Sequence, residues 1–499
     1  MLIKSKISGI TVLILSLLIL YPLSVLSDVR LSTNALKALE NKVKQYTLDN
    51  GLRVILYKRD FAPVFAGVVS VRVGGVDEHP GNTGISHILE HMAFKGTTEI
   101  GTKNYSREKD LLNELEAIAR ASAGGTKFSA EQKIRWDQIQ SELEEFWDTE
   151  AFTRHYRERG SSGLNATTSK ELTSYFVNLP KNSFEFWAWM ESERLYRPVM
   201  RQFYQERDVV MEERRMRYDD DPNGALYEQL LATAYLQHPY RYPVIGYPAD
   251  ISKVTATETA EFHKTFYSPE RIVVSVVGDL EPETAIKTIK KYFGRLPKTS
   301  SPAFTQIKEE EQQSERSFVI RRDASPSLVV AYHKPNFPDP DDAAITLMLE
   351  LLAGSSVSPV YDQLVKRKQI AASIEFDEGP GTAYPNLVMF FMAVKNPHSN
   401  KTLLKMFDRE VEKFKMKGPT QQELDNAKRA IAVDYLVHLK SNMSLAKNFA
   451  SSELIYNNWK ALVDWYEEAM KVEIEDVTRV ANKYLDSKSR TVGYLEPLK

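Results

Sequence analysis

The stretch His87-Ile88-Leu89-Glu90-His91 carries the plainest chemistry in the chain. On a helix, residues i and i+4 share a face, so both imidazoles reach one tetrahedral metal ion and Glu90 projects beside them. A carboxylate at that point accepts a proton from water activated by the metal. The chain has no cysteine, which excludes thiolate metal sites, thiol nucleophiles and disulfides. A metal must therefore be held by His and carboxylates. Of the nine His, the other seven lack metal spacing.

A helix must carry this motif, and the flanking sequence predicts one. Apolar residues Ile85, Ile88, Leu89 and Met92 recur at helical spacing after a loop marked by Gly74, Gly75, Gly81 and Gly84. Those glycines lack the spacing of a phosphate-binding loop and read as turn residues. Upstream, Asp49-Asn50-Gly51 is a turn between two short β-type runs, and a further strand is expected over residues 64–73.

The second half repeats this pattern. Ile345-Thr346-Leu347-Met348-Leu349-Glu350-Leu351 aligns with Ile85-Ser86-His87-Ile88-Leu89-Glu90-His91 at an offset of 260, and Val492-Gly493-Tyr494-Leu495-Glu496-Pro497 matches Val277-Gly278-Asp279-Leu280-Glu281-Pro282 at an offset of 215. The offsets differ by 45 residues, so the first unit carries about that many extra. They fall at about residues 101–159, where Leu111, Leu112, Leu115 and Ile118 form one helical stripe and Ile134, Ile139, Leu143 and Phe146 a second. Gly124-Gly125 lies between them, the pattern of an inserted helical hairpin. The expected organisation is a first unit over 44–297, a polar linker over 298–316 whose acidic run Glu309-Glu310-Glu311 reads as solvated, and a second unit over 317–499. Residues 1–27, with Lys4 and Lys6 before an apolar run, read as a signal peptide cleaved after Ser27, an uncleaved membrane anchor being the alternative. Either sends the rest of the chain across a membrane, so an exported, periplasmic location is expected. With 65 Lys+Arg against 67 Asp+Glu and a net charge of −2, nothing favours a nucleic-acid partner.

The His-x-x-Glu-His order is that of an inverted zincin, and several phrases resemble the pitrilysin family of zinc metallopeptidases. They are Gly84-Ile-Ser-His-Ile-Leu-Glu-His-Met-Ala-Phe-Lys-Gly-Thr97, Gly163-Leu-Asn-Ala-Thr-Thr168, Glu206-Arg-Asp-Val-Val-Met-Glu-Glu213 and His238-Pro-Tyr240. The resemblance implies an α+β fold of two homologous α/β units, each an antiparallel sheet with helices packed on it, together forming half of a clamshell. It implies one Zn2+ per chain held by His87, His91 and a later Glu. Phrase matching puts that ligand at Glu213, preferred over the adjacent Glu212, which lies about 100° around the helix. Glu206, two turns earlier on the same face, matches a family Glu that supports the site, an ion pair with Arg207 or Arg214 being its alternative. Asn165 and Ala166 match a strand edge that pairs with the substrate backbone, the alternative being an ordinary strand end.

The implied function is zinc-dependent endopeptidase action on peptides or small unfolded proteins, with Glu90 as general base. A non-catalytic scaffold of the same fold is the competing class. The chain also departs from the family. Leu347 and Leu351 replace both His in the second unit, although Glu350 persists. The phrase that in active relatives supplies an Arg and a Tyr reads Leu364-Val365-Lys366-Arg367-Lys368-Gln369-Ile370-Ala371-Ala372, with Val365 and Ala372 at those positions. Arg367 is shifted by two residues. The expected assembly is a heterodimer with a zinc-less paralogue that carries the Arg/Tyr pair, a homodimer being the alternative.

Overall fold

The computed structural model describes residues 39–122, 124–125, 127–304 and 307–498, so the signal peptide expected over residues 1–27 lies outside the described residues. The turn at Asp49-Asn50-Gly51 joins β1 (Val43–Thr47) to β2 (Arg53–Lys58). Gly51 takes a φ of +94°, and the Asn50 side chain accepts from Leu52 N and donates to the carbonyls of Phe293 and Leu296. These are the two reasons for Asn-Gly here: a local cap and a left-handed residue.

The other strands are β3 (Val64–Val71), β4 (Ser162–Thr168), β5 (Thr173–Pro180), β6 (Ile272–Gly278), β7 (Arg316–Arg322), β8 (Ser327–Lys334), β9 (Ala371–Gly379), β10 (Asn386–Val394) and β11 (Arg490–Pro497). They form two sheets, ordered β1-β2-β6-β3-β5-β4 and β7-β11-β8-β10-β9. Leaving β1 aside, the two orders superpose strand for strand. Even the single parallel pair recurs, β2 with β6 and β7 with β11, every other pairing being antiparallel. The fold is α+β, two like units with helices on their sheets.

Helix α1 (Ile85–Met92) carries the His-x-x-Glu-His residues. Between it and β4 come α2 (Tyr105–Ala121) and α3 (Ala130–Glu144), joined through Gly124 and Gly125 at φ of +74° and +79°. Leu115 and Ala119 of α2 and Trp136, Ile139 and Leu143 of α3 are buried. Ile134 is 61% exposed, so the inward stripe of α3 starts at Trp136 and not at Ile134. Next come α4 (Phe203–Arg214) and α5 (Pro222–Ala234), then α6 (Asp341–Ala353) and α7 (Asn442–Tyr456) in the second unit.

β3 is buried along almost its whole length, which requires cover on both faces. Phe65, Val69 and Val71 face the helices of their own unit. Ala66 and Val68 face Leu445, Ala446, Phe449 and Ala450 of α7, from the second unit. The relation is reciprocal: Leu226, Leu230 and Leu231 of α5, from the first unit, cover Val329, Ala331, Met389 and Leu495 of the second sheet. The linker also contributes. Glu309 accepts the N–H groups of Leu236, Gln237 and His238 at 2.8–2.9 Å, so the acidic run is a loop clasp at its first residue and not merely a solvated stretch.

Candidate metal centre

α1 begins at Gly84, whose φ of +91° and lack of a side chain leave its first amides without a local cap. The buried Glu78 carboxylate supplies it, accepting from Gly84 N and Ser86 N, both at 2.8 Å. Burial pushes this carboxyl up to about 7. Only glycine fits at position 84, since a Cβ there would stand 2.4 Å from the Ile245 carbonyl oxygen. Ile85, Ile88, Leu89 and Met92 then fix the helix in the core, which turns His87, Glu90 and His91 toward α4 and β4.

α4 is held from the other side by the inserted hairpin. Buried Arg207 donates to the carbonyls of Gly124 and Val254, the Tyr204 hydroxyl donates to Glu116, and the Trp136 and Tyr204 rings meet edge to face at 4.9 Å. Just before α4, fully buried Arg201 makes a two-point pair with Glu108 of α2, at 2.5 and 2.9 Å, and also donates to the carbonyls of Lys95, Thr97 and Ile100 behind α1. The insertion thus sets the spacing of the two helices.

Across that spacing His87, His91 and Glu213 converge, and among the described residues they form the one group able to hold a metal ion. Oε2 of Glu213 lies 3.7 Å from His87 Nε2 and 3.5 Å from His91 Nε2. Ligands at about 2.0–2.2 Å in a tetrahedron stand about 3.3–3.6 Å apart, so the donor set fits zinc. Glu206 lies one helical face-repeat earlier and accepts from His91 Nδ1 at 2.9 Å, which leaves Nε2 of that ring as the free donor atom. Its second oxygen pairs with Lys95 at 2.5 Å, so its partners are His91 and Lys95, not Arg207 or Arg214. Glu212 points away and pairs with Arg215 at the surface.

The electrostatics follow from these contacts. Burial, helped by the neighbouring His91 and Arg217, pushes His87 down to about 3, keeping that imidazole neutral. Burial also acts to lower His91, but Glu206, Glu213 and Glu90 outweigh it and raise that ring above its usual value. Against the effect of burial, His91 and Lys95 hold Glu206 down at about 2. Glu90 is 8% exposed, and burial raises it despite the hydrogen bond donated to its Oε2 by Thr168 Oγ1 at 2.5 Å. Arg217, in the π-turn that follows α4, engages Oε1 of Glu213 at 2.8 Å.

Asn165 and Ala166 lie on β4, the edge of the first sheet and the strand beside α1. Asn165 is exposed, and its side chain accepts from Ala166 N at 2.9 Å. In the second unit Leu347 is buried where the first unit has His87, Val365 packs against the core, and Arg367 pairs with Asp362. Four residues of the site went unread in the sequence: Glu78, Lys95, Thr168 and Arg217. Lys95 and Thr168 stand inside the family-like phrases, whereas Glu78 and Arg217 carry no signal of their own in the sequence.

Two family models match the chain. One, described as "Insulinase (Peptidase family M16)", covers residues 53–131, and the other, "Peptidase M16 inactive domain", covers residues 253–431. The chain belongs to the M16, or pitrilysin, family. Among M16 relatives, the zinc protease PqqE of Helicobacter pylori is 29% identical over 91% of this chain and 93% of its own length. A crystal structure of a protease from Helicobacter pylori superposes with a TM-score of 0.78 at 26% identity, covering 91% of this chain and all of that one. A probable mitochondrial-processing peptidase subunit beta of Arabidopsis thaliana is 23% identical over 91% of this chain and 78% of its own. The curated relatives are named zinc proteases or peptidase subunits, which supports a peptidase-like function for this M16 chain.

Proposed function

We propose that the chain is a zinc endopeptidase that hydrolyses peptides or small unfolded proteins after export. The observation that carries this reading is the convergence of His87, His91 and Glu213 beside a buried carboxylate, Glu90, that is no part of the ligand set. Bound by those three residues, zinc would supply a Lewis acid that polarises the scissile carbonyl and acidifies water. Glu90 takes the proton of the attacking water and delivers it to the leaving amine. Burial, which raises this carboxyl, suits it to both steps. Glu206 fixes the His91 ring, and the Asn165–Ala166 edge pairs with an extended peptide backbone, a mode that tolerates varied sequence. The export step rests on the leader sequence alone.

The test is cleavage of quenched peptides by the zinc-loaded chain, abolished by a chelator and restored by zinc. Cleavage indifferent to chelation would overturn the reading. Glu206→Gln is expected to weaken zinc binding about 10–100-fold, measured by chelator competition; unchanged affinity would remove Glu206 from the site.

A scaffold role fits the second unit, which matches the inactive-domain model and has leucines at both His positions. For the first unit the complete ligand set speaks against it. With Val365 and Ala372 in place of the Arg/Tyr pair, and Arg367 engaged by Asp362, the partner we propose is a zinc-less paralogue carrying that pair. The purified chain alone should then bind zinc but cleave peptides poorly, and adding the paralogue should raise kcat/KM. Full activity of the isolated chain would exclude the heterodimer.

A further inference from the structure

Glu90 takes its hydrogen bond from one side chain, Thr168, and the turn that follows Thr168 is held both by its own unit and, through Glu171, by the second unit. Thr168 ends β4, and residues 169–172 form the turn into β5. The turn is clasped on its backbone, where the carbonyls of Ser169 and Lys170 accept from Gly75 N at 3.2 Å and Val76 N at 2.8 Å. A Cβ on Gly74 would stand 2.4 Å from the Ser169 oxygen, so this approach requires glycine. Lys170, buried, donates to the carbonyls of Tyr240 and Tyr242. Glu171, 3% exposed, then reaches the second unit. One of its oxygens takes the Tyr240 hydroxyl and the amides of Thr382 and Ala383, at 3.3 and 3.4 Å, in the connection between β9 and β10. Tyr384 N donates to the same Tyr240 hydroxyl at 3.2 Å. A Cβ on Gly381 would fall 2.2 Å from the Glu171 carboxylate, so that connection also approaches as closely as a backbone can.

We propose that Thr168 is the positioning residue of Glu90, and that the metal-less second unit sets Thr168 through the buried contact of Glu171 with residues 382–384. The hydroxyl of Thr168 selects one rotamer of the Glu90 carboxylate and leaves its other oxygen for the water proton. Glu171 holds the turn from which that hydroxyl is presented. The metal-less unit thereby acts on the chemistry without contacting it. The proposal rests on Glu90 being the general base.

The experiment compares Thr168→Val, Thr168→Ser, Glu171→Gln and Glu90→Gln in the zinc-loaded full chain, with its partner subunit if cleavage needs one. A hydrogen bond to a charged group is worth enough that Thr168→Val should lower kcat about tenfold or more, with KM and zinc affinity within about twofold of wild type. Thr168→Ser, which keeps the hydroxyl, should recover most of the loss. Thr168→Val should have no further effect in the Glu90→Gln background, since both act on one group. Independently of activity, Glu171→Gln should raise amide hydrogen exchange in residues 166–172 and 382–384 together. Wild-type kcat in Thr168→Val with Glu90→Gln inactive would overturn the positioning role while leaving the base intact. An active Glu90→Gln would overturn both, and exchange rising only in 382–384 would overturn the link between the units.

Discussion

Glu90→Gln is expected to bind zinc as tightly as the wild-type chain and to cleave peptides about 10²–10⁴-fold more slowly, the range that a positioned general base contributes. The amide has nearly the volume of the carboxyl and can still take the hydrogen bond of Thr168, so packing around α1 is unchanged. It cannot accept the proton of water. His87, His91 and Glu213 are untouched, so metal content separates this outcome from loss of the site. One equivalent of zinc with cleavage lost would assign the proton transfer to Glu90. One equivalent with cleavage retained would remove it from the mechanism.

The largest expected effect on stability lies away from the metal centre. Glu108 and Arg201 form a buried, two-point ion pair, and Trp147 Nε1 donates to the same carboxylate at 3.1 Å. Glu108→Ala strips the guanidinium of its counter-charge while leaving it buried, a change that costs about 3–5 kcal/mol. The urea midpoint of the first unfolding transition should fall accordingly. Because Arg201 also braces the carbonyls behind α1, zinc affinity should fall with it. A loss below about 1 kcal/mol would mean that the insertion decorates the unit without bracing the site. The corresponding region of the second unit, between α6 and β9, is far shorter and has no such pair, in keeping with a unit whose leucines need no fixed separation from a ligand-bearing helix.

What could be read from the sequence was local or repeated. Helical spacing alone puts His87, Glu90 and His91 on one face, and the two copies of the unit expose each other through Glu350 and the Val-Gly ending. Glu213 was reachable only through a phrase match, because 122 residues and a hairpin separate it from His91. Thr168, Lys95 and Arg217 are ordinary surface residue types whose roles depend on which strand or turn meets which helix, and no periodicity encodes that. Apolar type at Ile134 does not imply burial: Trp136, with its larger surface, takes the inward position. The run of β3, apolar at nearly every position but Ser70, is consistent with cover on both faces, but it does not say that the second cover comes from α7 of the other unit.

That exchange of helices bears on how such a chain is built. Each unit closes its sheet with a helix from the other, which is the arrangement of a two-fold dimer whose subunits have been fused end to end. The linker expected over residues 298–316 would then act as a tether that makes a second-order association first-order. A cut in that segment should leave two fragments that stay together and elute as one particle, because Val68 and Val273 on one side and Leu230 and Leu231 on the other would meet water if they parted. Either half expressed alone should be insoluble for the same reason, and the two should rescue one another when expressed together.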